Sequence, residues 1–67
     1  MDKILPIDIL VLVISKDHKK ESSDIFSKEA YTKEVAKNYI SDVQREGMDV
    51  GSAFEIDFNN KSVICLK

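Results

Sequence analysis

The first long apolar run of the chain, residues 7–14, has no polar face. It is short and rich in β-branched residues, and a polar stretch follows it, as is typical of a buried strand. Side chains alternate between the two faces of a strand, which divides the run into two apolar sets: Ile7, Ile9, Val11 and Val13 on one face, and Leu10, Leu12 and Ile14 on the other. Such a strand needs a covering layer on each side of its sheet.

The length of the chain limits how that cover can be supplied. Sixty-seven residues leave room for one small domain, which we expect to span residues 1–67. Hydrophobic residues make up 43% and charged residues 33%, which argues against both a disordered tail and a membrane protein. A membrane-spanning helix needs about 20 residues, and the apolar stretch between Ile4 and Ile14 is shorter than that.

Charge and cysteine content restrict the environment and the partners. The formal net charge of −2 argues against binding to nucleic acid through bulk charge. The single cysteine, Cys65, cannot form an internal disulfide, and a secreted chain of this size usually needs several. We therefore expect a cytoplasmic protein.

Helical spacing begins after Ser27. Apolar residues recur four apart from Tyr31 to Val43, and Gly47 follows the last of them. Ser27 is a suitable N-cap, and Gly47 suits a left-handed C-terminal position from which Met48 folds back onto Val43. These signals predict a helix over about 28–46. The polar residues 15–24 before it contain neither Gly nor Pro and are expected to form a mobile loop.

The last third of the chain predicts a hairpin, with strands over about 52–58 and 61–66. Phe54, Ile56 and Phe58 alternate with Glu55 and Asp57, which indicates a strand whose acidic face is in water. Asn tolerates positive φ, so residues 59 and 60 are expected to form a two-residue turn.

These elements predict a single α+β domain of order β-α-β-β, with a three-stranded sheet and one helix on one face. We place the first strand in the centre, because its two apolar faces need the most burial. Pairing with the third strand would make the sheet wholly antiparallel, whereas pairing with the second would be parallel with a right-handed crossover.

One helix cannot cover both sides of this sheet, so another chain is expected to supply the missing layer. That chain would be a second copy, in a homodimer, or a larger protein. The alternative is a small sheet that twists and closes its own ends. The tyrosines suit a core or an interface equally, and an edge strand could also make the contact. The interface candidates are Leu10, Leu12, Ile14, Tyr31, Tyr39, Val63 and Cys65.

A different reading places a small anionic ligand or nucleotide at the polar segment 16–24. Its lysines and serines follow the first strand and precede the helix N-terminus, a place where open α/β sheets bind anions. No Gly-rich turn accompanies them. The candidate anion-binding residues are Lys16, Lys19, Lys20, Ser22 and Ser23.

The sequence contains no catalytic or cofactor motif. His18 has no second histidine and no metal-ligand spacing around it, and Cys65 has no neighbouring base in the sequence. We therefore expect no enzyme activity, no metal and no cofactor. The leading hypothesis is a protein-binding protein that acts as a homo-oligomer, either as an inhibitor or as an adaptor. By analogy alone, stoichiometric inhibitors of this size are common among phage and mobile elements.

Overall fold

The computed structural model describes residues 8–67, which form one helix and one sheet. The elements in chain order are β1 (Asp8–Ser15), β2 (Glu21–Ser27), α1 (Lys33–Arg45), β3 (Val50–Asp57) and β4 (Ser62–Cys65). The sheet is antiparallel throughout and has four strands in the order β2-β1-β3-β4. The α+β class with one helix is confirmed, but the predicted three-stranded sheet is wrong by one strand. Residue 7, the predicted start of the first strand, lies outside the described residues.

The additional strand is β2, which takes the last four residues of the predicted mobile loop 15–24 and continues to Ser27. It pairs with β1 over its whole length, from Ile14 opposite Glu21 to Asp8 opposite Ser27. Because β2 reverses the chain once more before the helix, β3 returns antiparallel to β1 instead of parallel to it. The first strand is central, as expected. Its neighbour β3 corresponds to the predicted second strand, but the two strands are antiparallel, whereas that pairing was expected to be parallel.

The turn between β1 and β2 is held by hydrogen bonds around Ser15, which is 5% exposed. Its hydroxyl donates to the Asp17 carboxylate at 2.6 Å and accepts from the backbone N–H of Lys20 at 3.0 Å. The same carboxylate accepts from the backbone N–H of Lys19. These hydrogen bonds, of which the one from Ser15 has the largest effect, lower the pKa of Asp17. His18 takes a positive φ of 62° within this turn. A hydrogen-bonded turn thus replaces the first part of the expected loop.

The helix α1 begins later than its spacing predicts. Thr32 is the N-cap, and its side chain accepts from the backbone N–H of Val35 at 3.1 Å. The predicted cap, Ser27, instead ends β2, so residues 28–31 lie in the connection. At the other end Gly47 has a φ of 113°, and the Met48 N–H donates to the Val43 carbonyl at 3.3 Å, as in a Schellman motif.

The core lies between α1 and one face of the sheet, here called the helix side. Its central cluster consists of small or β-branched residues: Val11, Val13, Val43, Val50 and Ala53. Ile9 and Ala36 are also buried. A ring of partly buried residues surrounds them: Phe26, Tyr31, Tyr39, Ile40, Met48 and Leu66. Since only one of the two faces of β1 contributes to this core, the burial of β1 alternates strictly along its length.

The alternation predicted for β3 is present, but its orientation is opposite to the expectation. Asp57 is 7% exposed, and its register partner Ile9 belongs to the helix side. Glu55, which pairs with Val11, lies on the same side and is half-buried. The acidic residues of β3 therefore face the helix layer, while Phe54 and Ile56 take the opposite face.

The second hairpin has a four-residue connection, residues 58–61, in place of the predicted Asn59-Asn60 turn. Asp57 organises it by accepting from the backbone N–H groups of Asn60 and Asn59, at 3.2 and 3.0 Å. The bond from Asn60 is the main cause that lowers the pKa of Asp57, and the Lys28 ammonium, 3.8 Å away, adds to it. Lys61, with a φ of 53°, takes the positive-φ position expected of an asparagine.

Candidate functional site

The face of the sheet opposite α1, here called the open face, carries apolar residues from all four strands. The register places them in two rows that cross the sheet. The first row is Ile25, Leu10, Ile56 and Val63, and the second is Leu12, Phe54 and Cys65 with Ser23 at its β2 end. Ile14 stands in a third position beside Leu12, between Glu21 and Ser52. No element of the described chain covers these rows.

Solvent exposure on the open face rises toward the two edge strands. Ile25 on β2 is 44% exposed and Val63 on β4 is 65% exposed, while Leu10, Leu12 and Ile56 in the centre are half-buried by their neighbours. Charged residues occur only at the margins, with Glu21 and Asp8 at the ends of the strands. A contiguous apolar patch with a polar margin is the usual appearance of a protein-binding surface.

Five of the seven interface candidates from the sequence lie on the open face: Leu10, Leu12, Ile14, Val63 and Cys65. Sequence reasoning missed Ile25, Phe54 and Ile56. Ile25 lies between the predicted loop 15–24 and the predicted helix over about 28–46, so the sequence predicts no strand for it. The signal for Phe54 and Ile56 was available, because their alternation with acidic residues is clear, but the face they occupy depends on the register with β1.

Tyr31 and Tyr39, the other two interface candidates, do not lie on the open face. Both pack around Phe26 on the helix side, with ring centroids 6.0 and 6.1 Å from it. Each hydroxyl has a partner within the chain, because Tyr31 donates to Glu55 at 2.6 Å and Tyr39 shares a 2.5 Å hydrogen bond with the Ser22 hydroxyl. Burial, together with the Glu55 carboxylate, raises the pKa of Tyr31.

The structure separates the parts of the predicted anion site. Lys16, Lys19 and Lys20 lie in the β1–β2 turn, whereas the N-terminus of α1 follows β2, a strand of seven residues that spans about 20 Å. Ser22 faces the helix side and Ser23 the open face. Lys16 and Lys20 lie beside residues 47–49, which follow the C-terminal end of α1, and the dipole at that end disfavours an anion. Lys16 also pairs with Asp49 at 3.7 Å.

Nothing in residues 8–67 assembles a metal centre, because no group of three potential ligands occurs there. No helix in the same range is long and apolar enough to cross a bilayer. Cys65 is exposed at the edge of the open face, and His18 is exposed in the β1–β2 turn. Comparison of the chain with protein-family models, with curated proteins and with solved structures gives no match.

Proposed function

We propose that this chain is a non-enzymatic protein-binding protein, which pairs with a second copy through the open face and occupies a surface of a larger protein as an inhibitor or adaptor. The observation that carries the proposal is the apolar open face, which crosses all four strands and has no covering layer in residues 8–67. Removing apolar surface from water is worth about 25 cal/mol per Å². A face of this composition therefore favours association.

A second copy suits the open face because the face is complementary to itself. Two sheets can pack face to face at a separation of about 10 Å and an angle of about 30°. The two-fold symmetry of such a dimer brings apolar rows together and leaves the marginal carboxylates of Glu21 and Asp8 at the rim. Like charges then do not meet in the centre of the contact.

The size of the open face indicates a reversible dimer. Four strands of eight, seven, eight and four residues, about 4.8 Å apart with a rise of about 3.3 Å per residue, make a face of about 430 Å². Two such faces bury about 860 Å², which is the size of a weak or transient contact and less than that of a stable complex. We therefore expect monomer and dimer to exchange with protein concentration.

Sedimentation velocity over a range of protein concentrations tests the dimer. We expect the wild type to shift from monomer to dimer and Val63→Glu to remain monomeric, since a charge at this exposed position is tolerated in the monomer but not in an apolar contact. Ile64→Glu is the matched control, because Ile64 belongs to the same strand, is 50% exposed and lies on the helix side. It should dimerise like the wild type.

Two outcomes would contradict the proposal. One is a wild type that stays monomeric at every concentration, and the other is a Val63→Glu variant that dimerises as well as Ile64→Glu does. Native mass spectrometry of protein purified gently from its own cells adds a test of the small-ligand alternative. A monomer that retains a small anion would favour a ligand-binding role, in spite of the separation between the lysines and the helix N-terminus.

A further inference from the structure

A second apolar surface lies on the helix side, between α1 and the edge strand β4. It is a groove of about 370 Å³. Its apolar lining is provided by Ala36, Ile40, Ile64 and Leu66, and its rim by Lys33 and Lys37. Ile64 is 50% exposed, which is high for a residue beside a core. The groove and the open face meet at Cys65 and otherwise differ, since successive residues of β4 point to opposite sides of the sheet.

The backbone of β4 borders this groove and is paired on one side only. Its neighbour is β3, and within the described chain no strand pairs with its outer edge. An edge of this kind offers N–H and C=O groups to an added strand, and partner peptides use such edges by β-augmentation. A partner strand that pairs with β4 places every second one of its side chains over the groove.

The charge around the groove determines which peptides can bind there. Lys33 and Lys37 are one turn apart on α1, and neither has a carboxylate within 4.0 Å in the described chain. The one acidic residue of the lining, Glu55, accepts the hydrogen bond from the Tyr31 hydroxyl. Lys61 and Lys67 flank β4 at its two ends. The chain carries a net charge of −2, yet this edge is locally basic.

We propose that the groove between α1 and β4 binds an extended acidic segment of a partner protein, which pairs with the outer edge of β4. Its apolar side chains pack on Ile64 and Leu66, and its carboxylates approach Lys33 and Lys37. This proposal names the partner chemistry for the protein-binding role and rests on that role. It uses a different surface from the dimer, so each can fail without the other.

The probe is a short fluorescent peptide with the central sequence Glu-Thr-Val-Thr-Glu, which places its Glu and Val side chains on one face of a strand. Anisotropy titrations measure its affinity for the wild type and for Lys33→Glu/Lys37→Glu. The matched control is Lys19→Glu/Lys20→Glu, which changes the net charge equally in the distant β1–β2 turn. We expect the groove variant to bind at least about tenfold more weakly and the turn variant to stay within about threefold of the wild type.

A peptide with Gln in place of Glu should bind about tenfold more weakly to the wild type, since it keeps the strand but lacks the charges. Backbone amide shifts map the contact, and we expect changes at 62–66 and along the groove side of α1. Lys33→Gln/Lys37→Gln, which only removes the charges, serves if the charge reversal disturbs folding. Both groove variants should still dimerise, which separates this test from that of the open face.

Four results would overturn the proposal: no binding of the acidic peptide to the wild type, equal binding of the Gln peptide, equal weakening by the groove and turn variants, or amide shifts confined to the open face. Self-assembly is a further alternative, since β2 is an edge strand with acidic residues. Species larger than a dimer at low salt, lost on Lys33→Glu/Lys37→Glu, would show that β4 receives another copy instead of a partner.

Discussion

The hydroxyl of Tyr31 donates a 2.6 Å hydrogen bond to the carboxylate of Glu55, and so ties the segment before α1 to the middle of β3. We expect Tyr31→Phe to lower the free energy of unfolding by about 1–2 kcal/mol, because the half-buried carboxylate loses its donor. Urea unfolding followed by circular dichroism measures this loss. An unchanged free energy of unfolding would show that water replaces the hydroxyl at no cost.

The same pair predicts a sensitivity to alkali. The pKa of Tyr31 in the folded chain is raised above its ordinary value of 10.0, so the unfolded chain loses this proton first. The stabilisation is thus complete below pH 10.0 and is lost progressively as the pH rises above it. Tyr31→Phe should lose less stability in this pH range than the wild type does. Tyr39→Phe, the control, should lose as much as the wild type.

Asp57 predicts the opposite dependence in acid. Its pKa is lowered by the backbone N–H of Asn60 and by Lys28, so its stabilisation is present above the ordinary value of 3.8 and is lost as the pH falls through the folded-state pKa. Asp57→Asn should reduce stability at neutral pH and flatten the acid unfolding curve. Asp24→Asn, at an exposed position of β2, is the control and should leave the curve unchanged.

Gly51 lies so close to β1 that a side chain does not fit. A Cβ at this position would be 2.8 Å from the Cα of Lys16, beside the shift in register between Ile14 and Ser15. Gly51→Ala should therefore lower the free energy of unfolding by about 1–3 kcal/mol, because backbone has to move. Gly47→Ala is the control that distinguishes a steric clash from backbone strain. A Cβ there meets no atom within 4 Å, so only the φ of 113° disfavours the substitution. Its cost should be about 1–2 kcal/mol, from the left-handed backbone alone.

Cys65 reports on the open face without any mutation. Its thiol is exposed in the chain and belongs to the second apolar row, beside Phe54. If the open face is the dimer contact, reaction with a thiol reagent should be fast in dilute protein and several-fold slower where sedimentation shows a dimer. Val63→Glu should react fast at all concentrations. A rate that never changes with concentration would place the contact elsewhere.

Elements with strong hydrophobic spacing are predictable from the sequence. The double-faced run of β1, the helical repeat up to Val43 and the stop at Gly47 all correspond to elements of the structure. These signals arise from burial, and burial requires apolar residues at regular intervals. The expectation that one face of the sheet lacks a cover rests on the two apolar faces of β1 and on the single helix.

β2 could not be predicted in this way, because its sequence is mostly Ser, Asp and Glu, residues common in turns. An edge strand has only one neighbour, so β1 stabilises it through the backbone with two apolar side chains, Ile25 and Phe26, one on each face. Two adjacent apolar residues within a polar stretch were the available signal. Without β2, the sequence also could not indicate the direction of β3 or which of its faces meets the helix.

The order of the strands has a consequence for the synthesis of this chain. The two central strands, β1 and β3, are separated in sequence by β2 and α1, so the ladder between them starts by joining Ser15 to Val50. Translation at about 5–20 residues per second leaves β1 without this neighbour for a time on the order of seconds. During that interval the β1–β2 hairpin has an unpaired apolar edge that other nascent chains can contact. The time between the emergence of β1 and that of β3 from the ribosome therefore sets the period of greatest aggregation risk.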